Sequence, residues 1–298
     1  MRSFCLSHKD DVHIGGQAVI EGVMMRGENA VATAVRKPNN EISIKKENKA
    51  RWTKANFLLG LPFVRGIVTL AETMTLGIGS LTYSATEAGE EENISKTEMG
   101  FAFTLSIIFS IALFIALPAF AFSKLKMLPI NTISLNIIEG LIRMTIFVGF
   151  LFLVNFMPDM KRVFEYHGAE HKTINAYHEM RSMEGFVPDA LNPDSVRKYS
   201  KVHPSCGTSF ILMVLLVSIF TFSFLGRPAF LMRVALKLSL LPVVAGISYE
   251  IIRLARHKKA PFIAKMLVAP GVLLQKITTR EPDSGQIEVA ISALKSVL

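Results

Sequence analysis

The residues best placed to do chemistry are His167-Gly168-Ala169-Glu170-His171, which read H-x-x-E-H. On a helix the two imidazoles stand at i and i+4, share a face and can reach one metal ion together. The Glu170 carboxylate, at i+3, lies close to that face and is a candidate general base toward metal-activated water. A second cluster, His203-Pro204-Ser205-Cys206-Gly207, follows where an apolar stretch begins. Imidazole and thiolate together suit zinc, so His167, His171, His203 and Cys206 are the candidate ligands of a divalent metal. Four protein ligands make a closed structural site, and three plus water an open catalytic one; the sequence leaves both open. The competing readings are a wet surface helix for the pentapeptide and a helix-entry turn with a buried thiol for His203 and Cys206.

Other polar residues stand where they can support such a site. Glu250 arrives at the end of an apolar stretch, as a ligand, a partner of a histidine or a base, or else paired with Arg253 or Arg256. Asn175 and His178 continue the face of His171, where Asn175 is either a ligand contact or a solvated side chain. Glu21 and Arg26 lie in a Gly-rich run through which backbone can approach a site closely. Glu139 and Arg143, i and i+4 near the outer end of their stretch, read as an ion pair at the outer interface. Cys5 and His13 read as unremarkable terminal residues.

The elements that position these residues are mostly apolar. Half of the 298 residues are hydrophobic and 19% are charged, with a mean hydropathy of +0.39, which points to transmembrane helices. Four stretches qualify as spans: Met99 to Ser123, Asn136 to Met157, Ser205 to Gly226, and Leu231 to Arg253, the last interrupted by Arg233 and Lys237. The expected fold is mainly α, a polytopic helical membrane bundle of about four spans. It carries a small N-terminal β-hairpin unit and cytoplasmic helices.

The chain divides accordingly. Residues 1–55 form a small β-rich unit, with Ala30 to Arg36 and Glu41 to Lys46 as a hairpin about Pro38-Asn39-Asn40. Residues 56–98 are interfacial or covering helices, interrupted by Arg65 and Glu72, with a fifth, imperfect span as the alternative, and an acidic linker. Residues 99–255 are the four-span domain, including the metal-binding segment 158–209, and 256–298 are a cytoplasmic or interfacial tail. In the tail, Met266 to Leu274 is short and broken by Pro270-Gly271, and Gln286 to Leu298 is amphipathic.

The formal net charge of +9 reads as cytoplasmic loops obeying the positive-inside rule, since no basic run interleaves with aromatics as in a nucleic-acid surface. An even number of spans puts 1–98, 158–204 and 254–298 on one side. Lys161, Arg162, Arg197, Lys198, Lys201, Arg256, Lys258 and Lys259 make that side, with both termini, cytoplasmic. Residues Met1 to Gly16 lack the apolar core of a cleavable signal peptide. Two cysteines make no disulfide framework.

Several long segments resemble the YqhQ-like family of bacterial membrane proteins, a domain of unknown function labelled a predicted metal-dependent enzyme. They are GGQAVIEGVMMRG at Gly15 to Gly27, the run Phe63 to Ala85, YHGAEHKTINAY at Tyr166 to Tyr177, HPSCGTSF at His203 to Phe210, LPVVAGISYEIIR at Leu241 to Arg253, and Ala269 to Leu294. The resemblance implies location in the bacterial plasma membrane and the metal-enzyme label, but no reaction. H-x-x-E-H also occurs in the inverted zinc-peptidase motif, an analogy confined to five residues.

Two functions follow as expectations. One is a metal-dependent hydrolase at the cytoplasmic membrane face, acting on a peptide or lipid-linked substrate, with Glu170 moving the proton. The other is a non-enzymatic scaffold or assembly factor stapled by a structural metal. A transporter is the weakest reading, because few ionisable groups are expected within the membrane.

Overall fold

The computed structural model describes residues 14–89, 96–183, 185–203, 206–255 and 261–298. The readings made above for Cys5, His13, the signal-peptide region through residue 13, the middle of the acidic linker and the basic residues Arg256, Lys258 and Lys259 lie outside the described residues.

The N-terminal unit is larger than a hairpin. Strands β1 (Gly15–Val19), β2 (Gly22–Arg26), β3 (Ala30–Arg36) and β4 (Ile42–Asn48) form one antiparallel meander in the order β1-β2-β3-β4. The expected hairpin is its second half, with Arg36 facing Ile42 across the turn. Strands β2 and β3 are buried almost throughout because both sheet faces are covered, which erases the polar alternation that marks a one-sided sheet. Val23, Met25, Ala32 and Ala34 face one apolar core, and Val19, Met24 and Val31 the other.

A short helix α1 (Trp52–Ala55) leads into α2 (Val64–Glu87). The C-terminal half of α2 covers the second sheet face: Thr33 Oγ1 donates to Ser80 Oγ at 3.0 Å, and Gln17 meets the Gly77 carbonyl at 3.4 Å. Glu72 is buried, accepting from Arg26 Nη2 at 2.6 Å and from the Trp52 amide at 2.8 Å. The N-terminal half lies on the last of the membrane-length helices, Phe230–Ala255, with Gly66 against Gly246 and Tyr249.

Among the described residues, three helical stretches are long and apolar enough to cross a membrane: Gly100–Leu125, Thr132–Val154 and Phe230–Ala255. The first is built of α3 (Lys96–Ile111), a π-turn (Ala112–Ala116) and α4 (Leu117–Leu125). Pro118 lacks the amide proton a regular turn needs, and the backbone widens ahead of it. The others are α5 (Thr132–Val154) and α9 (Phe230–Ala255). The expected third span is α8 (Gly207–Phe222), apolar but only 16 residues long, about 24 Å at 1.5 Å per residue. Four spans are therefore not confirmed: among the described residues three helices are long enough to cross, and α8 is a shorter apolar helix.

Between α5 and α8 come α6 (Pro158–Met180) and α7 (Pro193–Arg197). After α9 come α10 (Phe262–Thr278) and α11 (Ser284–Val297). Helix α10 runs unbroken through Pro270, so the interruption expected at Pro270-Gly271 does not occur. Instead Gly271 lets α10 approach α8 so closely that a β-carbon there would fall 2.8 Å from Ser209. Helix α11 is the expected amphipathic helix, opened by a capping box of Asp283 and Gln286.

The sequence segments do not correspond to separate packing units. One apolar core joins the sheet (Val23, Met25, Ala34), α6 (Tyr166, Ile174) and α11 (Ile287, Leu294). The N-terminal unit, the candidate site segment and the C-terminal tail thus form a single body attached to the membrane helices.

The reading of Glu139 and Arg143 as an outer-interface pair is corrected. Both are buried, 3.7 Å apart, and Glu139 is bound chiefly by Arg233 and Lys237 of α9. Four charged side chains therefore meet among the membrane helices, more than the argument against a transporter assumed.

Candidate metal centre

Helix α6 begins with Pro158 at its first turn and Asp159 beside it, a favourable helix start. Through its middle it is buried on nearly all sides. Gly168 is required there: a β-carbon would fall 2.0 Å from the Arg280 carbonyl oxygen. The Arg280 amide in turn donates to the Phe164 carbonyl at 2.8 Å, and its guanidinium holds Asn155 at the end of α5. The segment after α10 is thereby laid along α6 beside the two histidines.

That placement sets the imidazoles. His167 Nδ1 is 2.8 Å from the Thr278 carbonyl, and His171 Nδ1 is 2.7 Å from the Lys201 carbonyl. A carbonyl only accepts, so each Nδ1 carries a proton, and in the neutral ring Nε2 is the atom that presents a lone pair. The two rings stand 4.4 Å apart. His167 Nε2 lies 3.2 Å from Cys206 Sγ, while His171 Nε2 is buried with no hydrogen-bond partner. Cys206 caps the N-terminus of α8, and its sulfur also meets the Thr208 amide at 3.4 Å and hydroxyl at 3.1 Å.

His167, His171 and Cys206 thus offer three ligand atoms within 4.8 Å of one another. The His167–Cys206 edge is close to the spacing of about 3.5 Å that tetrahedral zinc imposes on nitrogen and sulfur. Histidines oriented by carbonyls through Nδ1, an orphaned buried Nε2 and a thiol are the donor set a zinc-class ion takes.

The remaining sequence-chosen residues occupy different places. His203 is outside the group of three, its ring 5.8 Å from that of His171 and nearly parallel to His178 at 6.4 Å. Glu170 is buried on the neighbouring side of α6 against β1, where a β-carbon on Gly16 would lie 3.0 Å from Oε1; its Oε2 has no hydrogen-bond partner. Burial pushes its carboxyl from the ordinary 4.5 up to about 7, and the nearby His167 opposes this. Asn175 donates to the carbonyls of Ser200 at 2.7 Å and Val202 at 3.0 Å, so it holds the loop carrying His203 instead of facing solvent. Glu21 receives a two-pronged contact from Arg162 and the Tyr166 hydroxyl, bracing α6 one residue before His167. Glu250 is gripped by Arg65 and the Phe63 amide, not by Arg253. Arg26 reaches Glu72 on the far face of the sheet.

Sequence reasoning missed the backbone and amide groups that hold the site. Gln275 of α10 accepts from the His203 amide at 2.9 Å and donates to the His203 carbonyl at 2.8 Å and to Ser209 Oγ at 2.9 Å. Lys172 donates to the carbonyls of Arg197 and Tyr199 at 2.8 and 2.9 Å. The only available signal was the polar Gln275 at the end of an otherwise apolar helix. Next to the site, between α5 and α10, a groove of about 490 Å³ is lined by Met144, Thr145, Val148, Gly149, Phe152 and Ile277. Ile277 is the chain neighbour of Thr278, whose carbonyl orients His167.

Residues 61–298 match the family described as protein of unknown function DUF1385. The chain is 33% identical over 307 residues to "Uncharacterized protein YqhQ" of Bacillus subtilis (strain 168), covering 98% of this chain and 94% of that one. No solved structure matches.

Proposed function

Since the chain belongs to the YqhQ-like family of unknown function, its chemistry has to be read from its own side chains, and we propose a metal-dependent membrane enzyme of the hydrolase class. The carrying observation is the convergence of His167 Nε2, His171 Nε2 and Cys206 Sγ, with both Nδ1 atoms committed to backbone carbonyls. These three residues would hold a zinc-class ion, with His203 the further candidate ligand from the same segment as Cys206. When bound, such an ion supplies Lewis acidity and acidifies a coordinated water. Glu170, adjacent in α6 and tuned by burial to about 7, takes a proton and returns it to the leaving group at neutral pH.

Four crossings are part of this reading. Asn136 near the start of α5 binds the Ser223 carbonyl at the end of α8, and Cys206 at the start of α8 meets α6 beyond the end of α5. Helix α8 therefore lies alongside α5 for about two thirds of its length, which supports its counting as a span. Both termini and the site then share the face carrying Lys161, Arg162, Arg197, Lys198 and Lys201, the cytoplasmic one in the plasma membrane. A site at this face is compatible with a peptide or a lipid-linked substrate.

A second reading, a structural metal staple in a scaffold or assembly factor, is favoured by one observation. Glu170 faces β1 and is not among the converging ligand atoms. The deciding experiment is metal content of the purified protein, combined with rescue of a deletion strain. The enzyme reading expects Glu170→Gln to retain metal and fold but fail to rescue. A Glu170→Gln protein that rescues fully, while each ligand substitution destabilises the chain, selects the staple. Absence of bound metal in the purified wild type overturns both.

A further inference from the structure

The densest polar cluster among the membrane helices is remote from the metal centre and is not balanced in charge. Glu139 Oε2 accepts from Arg233 Nε at 3.0 Å and from Arg233 Nη2, and Glu139 Oε1 receives Lys237 Nζ. Arg233 Nη2 also reaches Asn136 Oδ1, and Nη1 the Gly226 carbonyl at 3.3 Å. Both carboxylate oxygens are thus taken. Arg143, at the midpoint of α5, is left with a Ser218 hydroxyl at 2.8 Å and Glu139 at 3.7 Å. Its guanidinium stands 5.1 Å from the Phe222 ring centre, and its Nε is buried with no partner. Arg143 is 5% exposed, and Arg233 and Lys237 are wholly buried.

Arginine does not give up its proton in proteins. Even with Lys237 neutral, two guanidiniums face one carboxylate; with Lys237 charged, three cations do. Among the described residues no other carboxylate bonds to this cluster. An uncompensated charge among membrane helices carries a large desolvation cost. We propose that the cluster binds a small, singly charged inorganic anion of the chloride class beside Arg143 Nε, between α5 and α8. Burial of every cation argues for a small free ion over a lipid headgroup. The site is separate from the metal centre and independent of the function proposed for it.

The test uses the full chain purified in detergent, with radiolabelled chloride in equilibrium dialysis and thermal unfolding in chloride against gluconate at constant ionic strength. Wild type is expected to bind about one chloride per chain saturably and to melt a few degrees higher in chloride. Arg143→Gln is expected to lower chloride affinity at least about tenfold, and Lys126→Gln, at the exposed outer loop, to leave it unchanged. Should Arg143→Gln fail to fold, Ser218→Ala keeps every charge and is expected to weaken chloride binding severalfold. Wild type that neither binds chloride saturably nor responds to the anion overturns the proposal. So does binding that survives Arg143→Gln, and so does a phospholipid retained one per chain in native mass spectrometry that chloride does not displace.

Discussion

The imidazole of His167 and the thiol of Cys206, 39 positions apart in the chain, meet at 3.2 Å from Nε2 to Sγ. His167 belongs to α6, which shares a core with the sheet and α11, and Cys206 caps the short apolar helix α8, so this contact joins two parts of the protein. His171 completes the group from the next turn of α6.

Cys206 and His203, neighbours in the motif, are expected to separate in experiment. Cys206→Ala, His167→Ala and His171→Ala should each lower bound zinc per chain by roughly tenfold or more, whereas His203→Ala should retain most of it at saturating metal. Elemental analysis of purified variants checks this. Equal losses for His203→Ala and Cys206→Ala would make the site a four-ligand one.

Glu170 gives a pH dependence with a definite sign. Its carboxyl ionises near 7 when folded and near the ordinary 4.5 when unfolded. Between these values the folded state holds the extra proton, so stability is greatest below about 4.5 and falls as pH rises toward 7. The loss is on the order of 3 kcal/mol. Unfolding of chelator-treated protein across this range should show the decline, and Glu170→Gln should flatten it. A wild-type profile that is flat or rises with pH contradicts the burial described for this carboxyl.

Gly168→Ala is expected to be more damaging than an ordinary helix substitution, although alanine is the better helix former. The added carbon meets the Arg280 carbonyl, and relief requires moving the segment that carries Thr278. Reduced zinc affinity should therefore accompany a stability loss of about 1–3 kcal/mol. Retention of wild-type metal affinity would show that the Thr278 carbonyl does not orient His167.

Glu139→Gln removes the one carboxylate from a group of three buried cations and should cost about 3–5 kcal/mol. Adding Lys237→Met removes a cation as well, so the double variant is expected to be more stable than Glu139→Gln alone. Thermal unfolding in detergent reads both, and a double variant less stable than the single one would place the value of Lys237 in packing instead of charge.

Much of the local structure was legible in the chain. Long apolar runs, two of them carrying internal charges, marked the membrane-length helices, the 3.6-residue period marked α11, and the i, i+4 spacing put His167 and His171 on one face. The four-stranded sheet was only half legible, because β2 and β3 are covered on both faces and carry no alternation to read. Helix α10 was misread at Pro270, where close packing against Ser209 sustains a helix that local propensity would break.

The sequence by itself determined which groups were available: two imidazoles in register, a nearby thiol, and charges inside apolar stretches. Only the tertiary structure decided their partners. Cys206 rather than His203 stands with His167 because α10 and Gln275 hold the His203 backbone to one side. Glu139 serves Arg233 and Lys237 more closely than its helical neighbour Arg143 because α5 and α9 bring those cations to its oxygens. Spacing along one element follows from backbone geometry and is local. Which group satisfies a buried polar atom depends on which elements cover it, and that is settled only when the whole chain has packed.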